Sequence, residues 1–416
     1  MKINIVFFLS CFVSANTFAA EDAAQNRLTL EQAIIRVLEN HPKLKVADYE
    51  AQAMAARMRQ ALLAPADRIN LNLEDFGGTG KTSGINGIEA TLSLSRTLEL
   101  GNKAKIRGEV IESEANLLRT RQDIDRLDVL AEATRRYLHV AVDQERLRIA
   151  EAAIDLIRLT ERTVEDRIRA GRSPETERQR VAIDRANFEL DRDHRRHEME
   201  SSRLSLAILW NDRQPDFGEV EGEIFHLDAL PEFESLAVLL DRNPDLVRHI
   251  RAEDLAATRI RLAESKRKPD LDLTAGLRYL SQSDDMAFIV TASIPLGSSA
   301  RAQHDIQESE ALSRIEPLNL ELRRLELYDT LFEIYQELKH TKNAVEILRE
   351  KIIPAAQQML TAYEEGFQAG RYSLLELIQA QQLLRNARSQ SVEMAANYHN
   401  YRIEIDRLTG AQLQLR

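Results

Sequence analysis

The chain has 416 residues and a formal net charge of −11; 30% of its residues are charged and only 5% are aromatic. An acidic chain without a basic stripe and interleaved aromatic residues is not expected to bind nucleic acid. Cys11 is the single cysteine and lies in the first apolar run, so a processed chain would hold no disulfide and no cysteine metal ligand.

The N-terminus has the pattern of a secretory signal peptide. Lys2 precedes an apolar run at residues 3–13, and small residues follow at 14–20. The apolar run is far shorter than the ~20 residues of a membrane-spanning helix, so a membrane anchor is not expected. We therefore predict that residues 1–19 are a signal peptide and that the mature chain is exported. The sequence around Cys11 loosely matches a lipoprotein cleavage box, but cleavage there would leave too short an apolar region, so lipidation is the less favoured interpretation.

Several features recur about 200 residues apart. Asn40-His41-Pro42 and Asn243-Pro244 each open a helical stretch that leads into an alternating segment. The tetrapeptide Arg169-Ala170-Gly171-Arg172 is likewise matched by Gln368-Ala369-Gly370-Arg371. This separation is too long for a solenoid repeat. It predicts one unit of helix, strand pair, long helix and second helix that is made twice, with a first repeat at 20–212, a linker at 213–230 and a second repeat at 231–416.

The predicted helices are unusually long. No Gly or Pro occurs between Gly108 and Gly171, and at ~1.5 Å per residue this stretch predicts roughly 90 Å of unbroken helix. The equivalent stretch of the second repeat contains Pro317 and Pro354, which predict kinks or breaks. Three-four spacing of mainly apolar residues predicts helices that pack side by side as coiled coils. The positions with this spacing are Leu127, Leu130, Ala131, Thr134, Leu138 and Ala141, and Leu374, Leu377, Ile378, Gln381 and Leu384.

Four short segments alternate between apolar and polar residues, near 68–76, 86–96, 270–280 and 286–295. Alternation with a period of two predicts strands that have one apolar and one polar face. Two interpretations are open: soluble hairpins whose apolar face covers a core, or strands of a transmembrane barrel with the apolar face towards lipid.

The number of strands limits the barrel interpretation. Four strands cannot close a barrel, and an open edge is not tolerated in lipid. Several chains would therefore have to pool their strands. Two chains would give eight strands with a filled interior, and three would give twelve strands and leave a lumen.

The order of these motifs resembles that of the TolC-like outer-membrane factors, the exit ducts of efflux pumps and type I secretion systems. The resemblance covers essentially the whole mature chain and depends on the two Asn-Pro openings and on three further motifs. These are Leu98-Glu99-Leu100-Gly101-Asn102-Lys103, Ile294-Pro295-Leu296-Gly297, and the segment from Tyr363 to Leu377 that contains Gly366 and Gly370-Arg371-Tyr372-Ser373. The Leu-Glu-Leu-Gly motif followed by a basic residue is similar to that of the heavy-metal CzcC-type branch. Asn102 and Lys103-Ala104 depart from the second Gly and the Lys-Arg pair that are usual there.

The resemblance implies a mainly α fold with a small β part. It implies a homotrimer with a twelve-stranded barrel in outer-membrane lipid and a long helical tunnel in the periplasm. A periplasmic adaptor and an inner-membrane pump of the resistance-nodulation-division type would be its partners. The duct itself would carry out no reaction and would need no cofactor. Its expected substrates are heavy-metal cations, and drug efflux or type I protein secretion is the alternative.

Gly171 and Gly370 each end a long predicted helix and precede a new one, which predicts two equivalent helix–turn–helix tips. In the family, acidic and hydrogen-bonded side chains six positions after the matching glycine close the tunnel, and adaptors bind the same turns. The resemblance therefore implies Glu177 and Glu376 as gate candidates. The alternative is that both are first-turn acids favoured by the helix dipole. The neighbouring residues Arg172, Arg371 and Tyr372 complete the candidate set; Tyr372 stands where some members carry an Arg that locks the gate.

Other motifs favour structural roles. His194 and His197 have a spacing that can bind a metal, but they lie among arginines, so we predict a solvated face and no metal site. The segment 77–82 lacks the spacing of a phosphate-binding loop and joins two predicted strands. Trp210 is predicted to be a packing anchor. An exported enzyme is disfavoured because no catalytic constellation is present, and a periplasmic coiled-coil adaptor or structural protein would not need four amphipathic strands.

Overall fold

The computed structural model describes residues 27–85 and 87–410. The predicted signal peptide and Cys11 lie outside the described residues. The fold class is confirmed, because the described chain is mainly helical with a small β part. In chain order the elements are β1 (Arg27–Leu28), α1 (Leu30–Asn40), α2 (Pro42–Ala61), β2 (Arg68–Glu74), β3 (Glu89–Leu98), α3 (Lys103–Arg169), α4 (Glu175–Ala207), β4 (Glu219–Val220), α5 (Phe233–Leu239), α6 (Pro244–Ser265), β5 (Leu271–Leu280), β6 (Asp285–Ser293), α7 (Ser298–Ser313), α8 (Ile315–Ile347), α9 (Ile353–Gln368) and α10 (Leu374–Thr409).

The long-helix prediction is confirmed. Helix α3 runs for 67 residues without a break, as expected where neither Gly nor Pro interrupts the chain after Gly108. The second repeat is interrupted at both predicted places: α7 and α8 are separated at Arg314, and a π-helical turn at Leu348–Ile352 precedes α9. Pro317 lies in the first turn of α8, where a missing N–H removes no helical hydrogen bond, and Pro354 lies directly after the π-helical turn.

Contacts divide the described chain into two units. The first comprises residues 27–44, 126–240 and 328–410, and the second comprises residues 45–125 and 241–327. Each unit thus combines segments from both predicted repeats.

The first unit contains the main apolar core. Leu28, Val37 and Tyr137 belong to it, and the buried hydroxyl of Tyr137 donates to backbone carbonyl groups at the parallel β1–β4 pair. Trp210 is buried in the same core, with its ring 6.1 Å from that of Phe217. It therefore packs as predicted.

The coiled-coil spacing marks buried positions in this unit. The five predicted positions of α10 are all buried, from Leu374 to Leu384. In α3, Ala131 and the later predicted positions are buried, whereas Leu127 and Leu130 are half-buried. Within this apolar seam the Gln381 amide donates to the hydroxyl of Thr160 at 2.8 Å, whereas its Oε1 is buried without a partner in the described chain.

The second unit contains an antiparallel sheet in the order β2-β3-β5-β6. After β3 the chain turns directly into α3 at Gly101 and Asn102, whose φ angles are +86° and +58°. Lys103 binds Asp270 at 2.7 Å and thereby ties this turn to the start of β5. The Leu-Glu-Leu-Gly motif is therefore a strand-to-helix junction. None of the helices in the described part of the chain combines the length and the hydropathy of a membrane-spanning helix.

Candidate functional site

One face of the four-stranded sheet consists mainly of exposed apolar side chains, with the charged Arg96 opposite Leu273. The strand register places Ile69 opposite Leu94, and Leu92 opposite Leu277. The large residues that share this face and are all exposed are Ile69, Leu71, Leu73, Leu92, Leu94, Leu273, Leu277, Tyr279, Met286, Phe288 and Val290. A contiguous apolar surface of this kind is unusual in water and typical of a surface that contacts lipid or another protein.

The opposite face of the sheet is polar and internally hydrogen-bonded. The amide of Asn70 donates to the hydroxyl of Ser95 at 2.9 Å, and Ser95 is hydrogen-bonded to Thr274 at 2.8 Å. On the same face the hydroxyl of Thr97 donates to Asp272. These cross-strand bonds connect three strands and would still leave polar groups available to water. The sheet is therefore suited to separate an apolar from an aqueous environment.

Both outer strands of this sheet lack a partner on one side within the described chain. β2 and β6 are the terminal strands of the order β2-β3-β5-β6. In β2 every residue is exposed. A strand edge with free N–H and C=O groups is a template for pairing with another chain, and in lipid it must be paired.

The two turns predicted at Gly171 and Gly370 each join two helices. The φ angles are +68° and +79°, a backbone conformation that favours glycine after a helix. The turns close in the same way: the amide of Arg172 donates to the carbonyl of Arg167 at 2.8 Å, and that of Arg371 donates to the carbonyl of Gly366 at 2.8 Å.

The two turns lie at one apolar cluster, which brings the two sets of candidate residues into the same region. The cluster contains residues of α3, α4, α9 and α10 on both sides of the turns: Ile157, Val164, Val181, Ala356, Leu360, Phe367, Leu374, Leu377, Ile378, Ala380 and Leu384.

Arg167 connects the two turns and was missed by the sequence analysis. Its side chain donates to the hydroxyl of Ser173 at 3.0 Å and to the carbonyl of Arg172 at 3.4 Å, both in the first turn. It also donates to the carbonyl of Phe367 next to the second turn, and its guanidinium lies 4.4 Å from the centre of the Phe367 ring. One side chain thus holds together segments about 200 residues apart. The sequence holds one signal of this role. The two repeats differ at this position, since the residue of the second repeat that is equivalent to Arg167 is Gly366.

The second turn has the reverse combination of a small and a large side chain. Gly366 takes the place of Arg167, and Tyr372 takes the place of Ser173. The Tyr372 ring packs directly over Gly366, where a Cβ would overlap it, and lies 4.7 Å from the ring of Tyr363. The two turns are therefore equivalent in backbone and different in the side chains that stabilise them.

The candidate acids Glu177 and Glu376 differ in their surroundings. One carboxylate oxygen of Glu376 accepts from both the backbone N–H and the hydroxyl of Ser373 at 2.8 Å, and these hydrogen bonds lower the pKa of Glu376. At the first turn Pro174 stands in the place of Ser373 and has no N–H to donate. One oxygen of Glu177 is buried without a hydrogen-bond partner in the described chain. Glu376 thus forms a helix cap, whereas Glu177 does not.

The remaining candidate residues are at the surface. Arg172, Arg371 and Tyr372 are exposed beside the turns. His194 is also exposed, 3.2 Å from Glu198, and Nδ1 of His197 contacts the carbonyl of Asp193. Among the residues that the structure describes, no group of three or more His, Cys, Asp or Glu has a geometry that could hold a metal. The segment 77–82 connects β2 to β3 and includes a short 3₁₀ turn, unlike a phosphate-binding loop.

Comparisons with known proteins match this architecture. The family model described as outer membrane efflux protein matches residues 236–411. The cobalt-zinc-cadmium resistance protein CzcC of Cupriavidus metallidurans is 24% identical over 388 residues, which cover 93% of this chain and 91% of that protein. The chain is thus similar to this family over its C-terminal part and to CzcC along most of its length.

Solved structures show the same fold. The match to CusC has a TM-score of 0.75 at 17% identity and covers 92% of each chain. The CusC crystal structures concern conformational changes that accompany folding and transmembrane channel formation. The outer membrane protein VceC of Vibrio cholerae also gives 0.75 at 17% identity, over 97% of this chain and all of VceC. These matches show that the chain has the fold of CusC and VceC.

Proposed function

We propose that the protein is an outer membrane efflux protein and forms the exit duct of a tripartite pump that exports heavy-metal cations. The observation that carries the proposal is the sheet with an exposed apolar face, a polar face and two unpaired edges. In the proposed assembly three chains pool twelve strands into a barrel in the outer membrane. The helices extend from it as a periplasmic tunnel, and a periplasmic adaptor and an inner-membrane pump of the resistance-nodulation-division type complete the machine.

Exposed apolar residues on the neighbouring helices support pairing between copies. In α8, Ile315, Leu318, Leu322 and Leu325 are all exposed and follow the three-four spacing of a coiled-coil seam. Helix α2 has no buried residue at all. Since α2 leads into edge strand β2, and α7 and α8 follow edge strand β6, pairing β6 of one copy with β2 of the next would bring these helices close together.

The substrate class is the finer part of the proposal. Similarity to a cobalt-zinc-cadmium resistance protein along almost the whole of both chains favours divalent metal cations. Drug efflux and type I protein secretion use the same architecture and remain the alternative. We further propose that the turns at Gly171 and Gly370 form the periplasmic tip where the adaptor binds, with Glu177, Arg172 and Arg371 at the constriction.

Two measurements test the function. Deletion of the gene is expected to lower tolerance of zinc, cobalt, cadmium, nickel, copper or silver ions, and expression of the chain should restore it. Unchanged tolerance of all six ions, together with lost tolerance of organic drugs or lost protein secretion, would assign the chain to another branch. The protein purified in mild detergent is expected to have the mass of three mature chains, and a well-folded monomer would contradict the pooled barrel.

A further inference from the structure

Two acidic residues lie directly opposite each other on the polar face of the sheet. The register pairs Glu74 of β2 with Glu89 of β3. Like charges in this arrangement repel and destabilise the strand pair. Two carboxylates this close are also the kind of oxygen ligands that divalent cations bind. A positive charge nearby is therefore needed to offset the repulsion between the two carboxylates.

A guanidinium group from the third strand offsets it. Arg278 of β5 lies opposite Thr91, and its Nε donates to the Thr91 hydroxyl at 3.0 Å. One terminal nitrogen contacts Glu89 at 3.0 Å, and the other contacts Glu74 at 3.4 Å. The planar fork of an arginine can bind both carboxylates at once. We call Glu74, Glu89 and Arg278 the charge triad.

The charge triad lies at one end of the sheet. Glu74 is the last residue of β2 and Glu89 the first of β3, so both adjoin the loop at 75–88. The turn at 281–284 joins β5 to β6 at the same end, whereas the helices connect at the opposite end. In a duct with the proposed orientation, the charge triad of each chain would face the water-filled lumen at the outer mouth.

We propose that Arg278 determines how freely divalent cations leave the duct. Its guanidinium occupies the position in which Glu74 and Glu89 would otherwise bind an exported cation. Transport requires that cargo bind weakly enough to be released, and a fixed guanidinium prevents retention at the exit. This inference rests on the proposed function, because it requires the polar face to line a conducting lumen.

The test is divalent block of the purified full-length channel in planar lipid bilayers. Zinc chloride is added on the side of the sheet loops while potassium current is recorded. R278Q is expected to lower the half-blocking zinc concentration at least about tenfold, because two unpaired carboxylates per chain then attract the cation. Replacing both acids in that background, as E74Q/E89Q/R278Q, should return block to the wild-type level. A purely structural role of Arg278 would not make block depend on the two acids.

R68Q is the matched control. Arg68 lies on the same polar face near the other end of β2, 3.9 Å from Asp272, and the substitution removes the same charge. Zinc block of R68Q should stay at the wild-type level. If R68Q instead lowers the half-blocking zinc concentration as much as R278Q does, the effect depends on the overall charge of the lumen, and the proposal is overturned. Wild-type block in R278Q would also overturn it.

Two further results keep the interpretations separate. A wild-type protein that forms no channel contradicts the proposed function itself. If R278Q does not assemble, E74Q and E89Q are measured by reversal potential in a salt gradient. Each removes one of the two negative charges, so that the remaining carboxylate and Arg278 balance each other, and should lower selectivity for potassium over chloride. Unchanged selectivity in both variants would overturn the role of the charge triad.

Discussion

Replacement of Arg167 by alanine tests whether one side chain holds the two tip turns together. The wild-type side chain donates to Ser173, Arg172 and Phe367 and stacks on the Phe367 ring. A hydrogen bond to a charged group contributes about 1.5–3 kcal/mol, and an arginine stacked on an aromatic ring contributes about 0.5–1 kcal/mol. Because the site is half-exposed and these contributions are not additive, we expect a loss of about 2–4 kcal/mol in the local stability of the turns.

Amide hydrogen exchange measures this loss directly. The N–H groups of Gly171 and Arg172 close the first turn and exchange only when it opens. A loss of about 2–4 kcal/mol corresponds to exchange about 30- to 700-fold faster, at ~1.4 kcal/mol for each factor of ten. Arg169→Ala is the control, because Arg169 is exposed and pairs only with Asp166 in the same helix. In this variant the exchange of the Gly171 and Arg172 amides should stay within about threefold of wild type. Exchange in Arg167→Ala within that same threefold range would refute the coupling of the two turns.

Further substitutions test three other parts of the first unit. Gly366→Ala is expected to lower the heat stability of the assembled protein, because the new Cβ overlaps the Tyr372 ring, and adding Tyr372→Ser should restore it; no rescue would mean that the overlap is not the cause. Gln381→Leu removes the hydrogen bond that the Gln381 amide donates to Thr160, whose hydroxyl still donates to the carbonyl of Leu156, and should destabilise by about 0.5–1.5 kcal/mol. In denaturant unfolding, Gln381→Leu with Thr160→Val should destabilise by less than the sum of the two single losses; additive losses would contradict the coupling. Burial lowers the pKa of His399 below 6.5, so the folded protein takes up fewer protons than the unfolded chain and loses stability as the pH falls through 6.5 towards the folded pKa. His399→Gln should flatten this pH dependence, and an unchanged slope of unfolding free energy against pH would contradict it.

Local patterns in the sequence predicted most of the fold. A 67-residue helix follows from the absence of Gly and Pro, and the four strands of the large sheet lie where residues alternate with a period of two. The backbone conformation at Gly171 and Gly370 was predictable, because a glycine directly after a helix commonly adopts the left-handed conformation that ends it. The buried seam of α10 was predictable from its three-four spacing. These features depend on residues within one or two turns of one another.

The partners of the site residues could not be predicted in the same way. The sequence made Glu177 and Glu376 equivalent by duplication, but the helix cap at Glu376 needs the N–H of Ser373, and Pro174 has none. Arg167 had no local pattern that set it apart from the many arginines on helix surfaces. Its importance depends on Phe367, which is brought to it only by the packing of α3 against α9.

The sequence by itself determined the helices, the strands, the turns and the two-faced character of the sheet, because these are set by neighbours along the chain. The tertiary structure alone decided which charges meet. Glu74, Glu89 and Arg278 belong to three strands, and a shift of register by one residue would send the side chains of a strand to the opposite face. Contacts between distant segments depend on register and on packing of the whole unit, and the periodicity of a single segment carries no information about either.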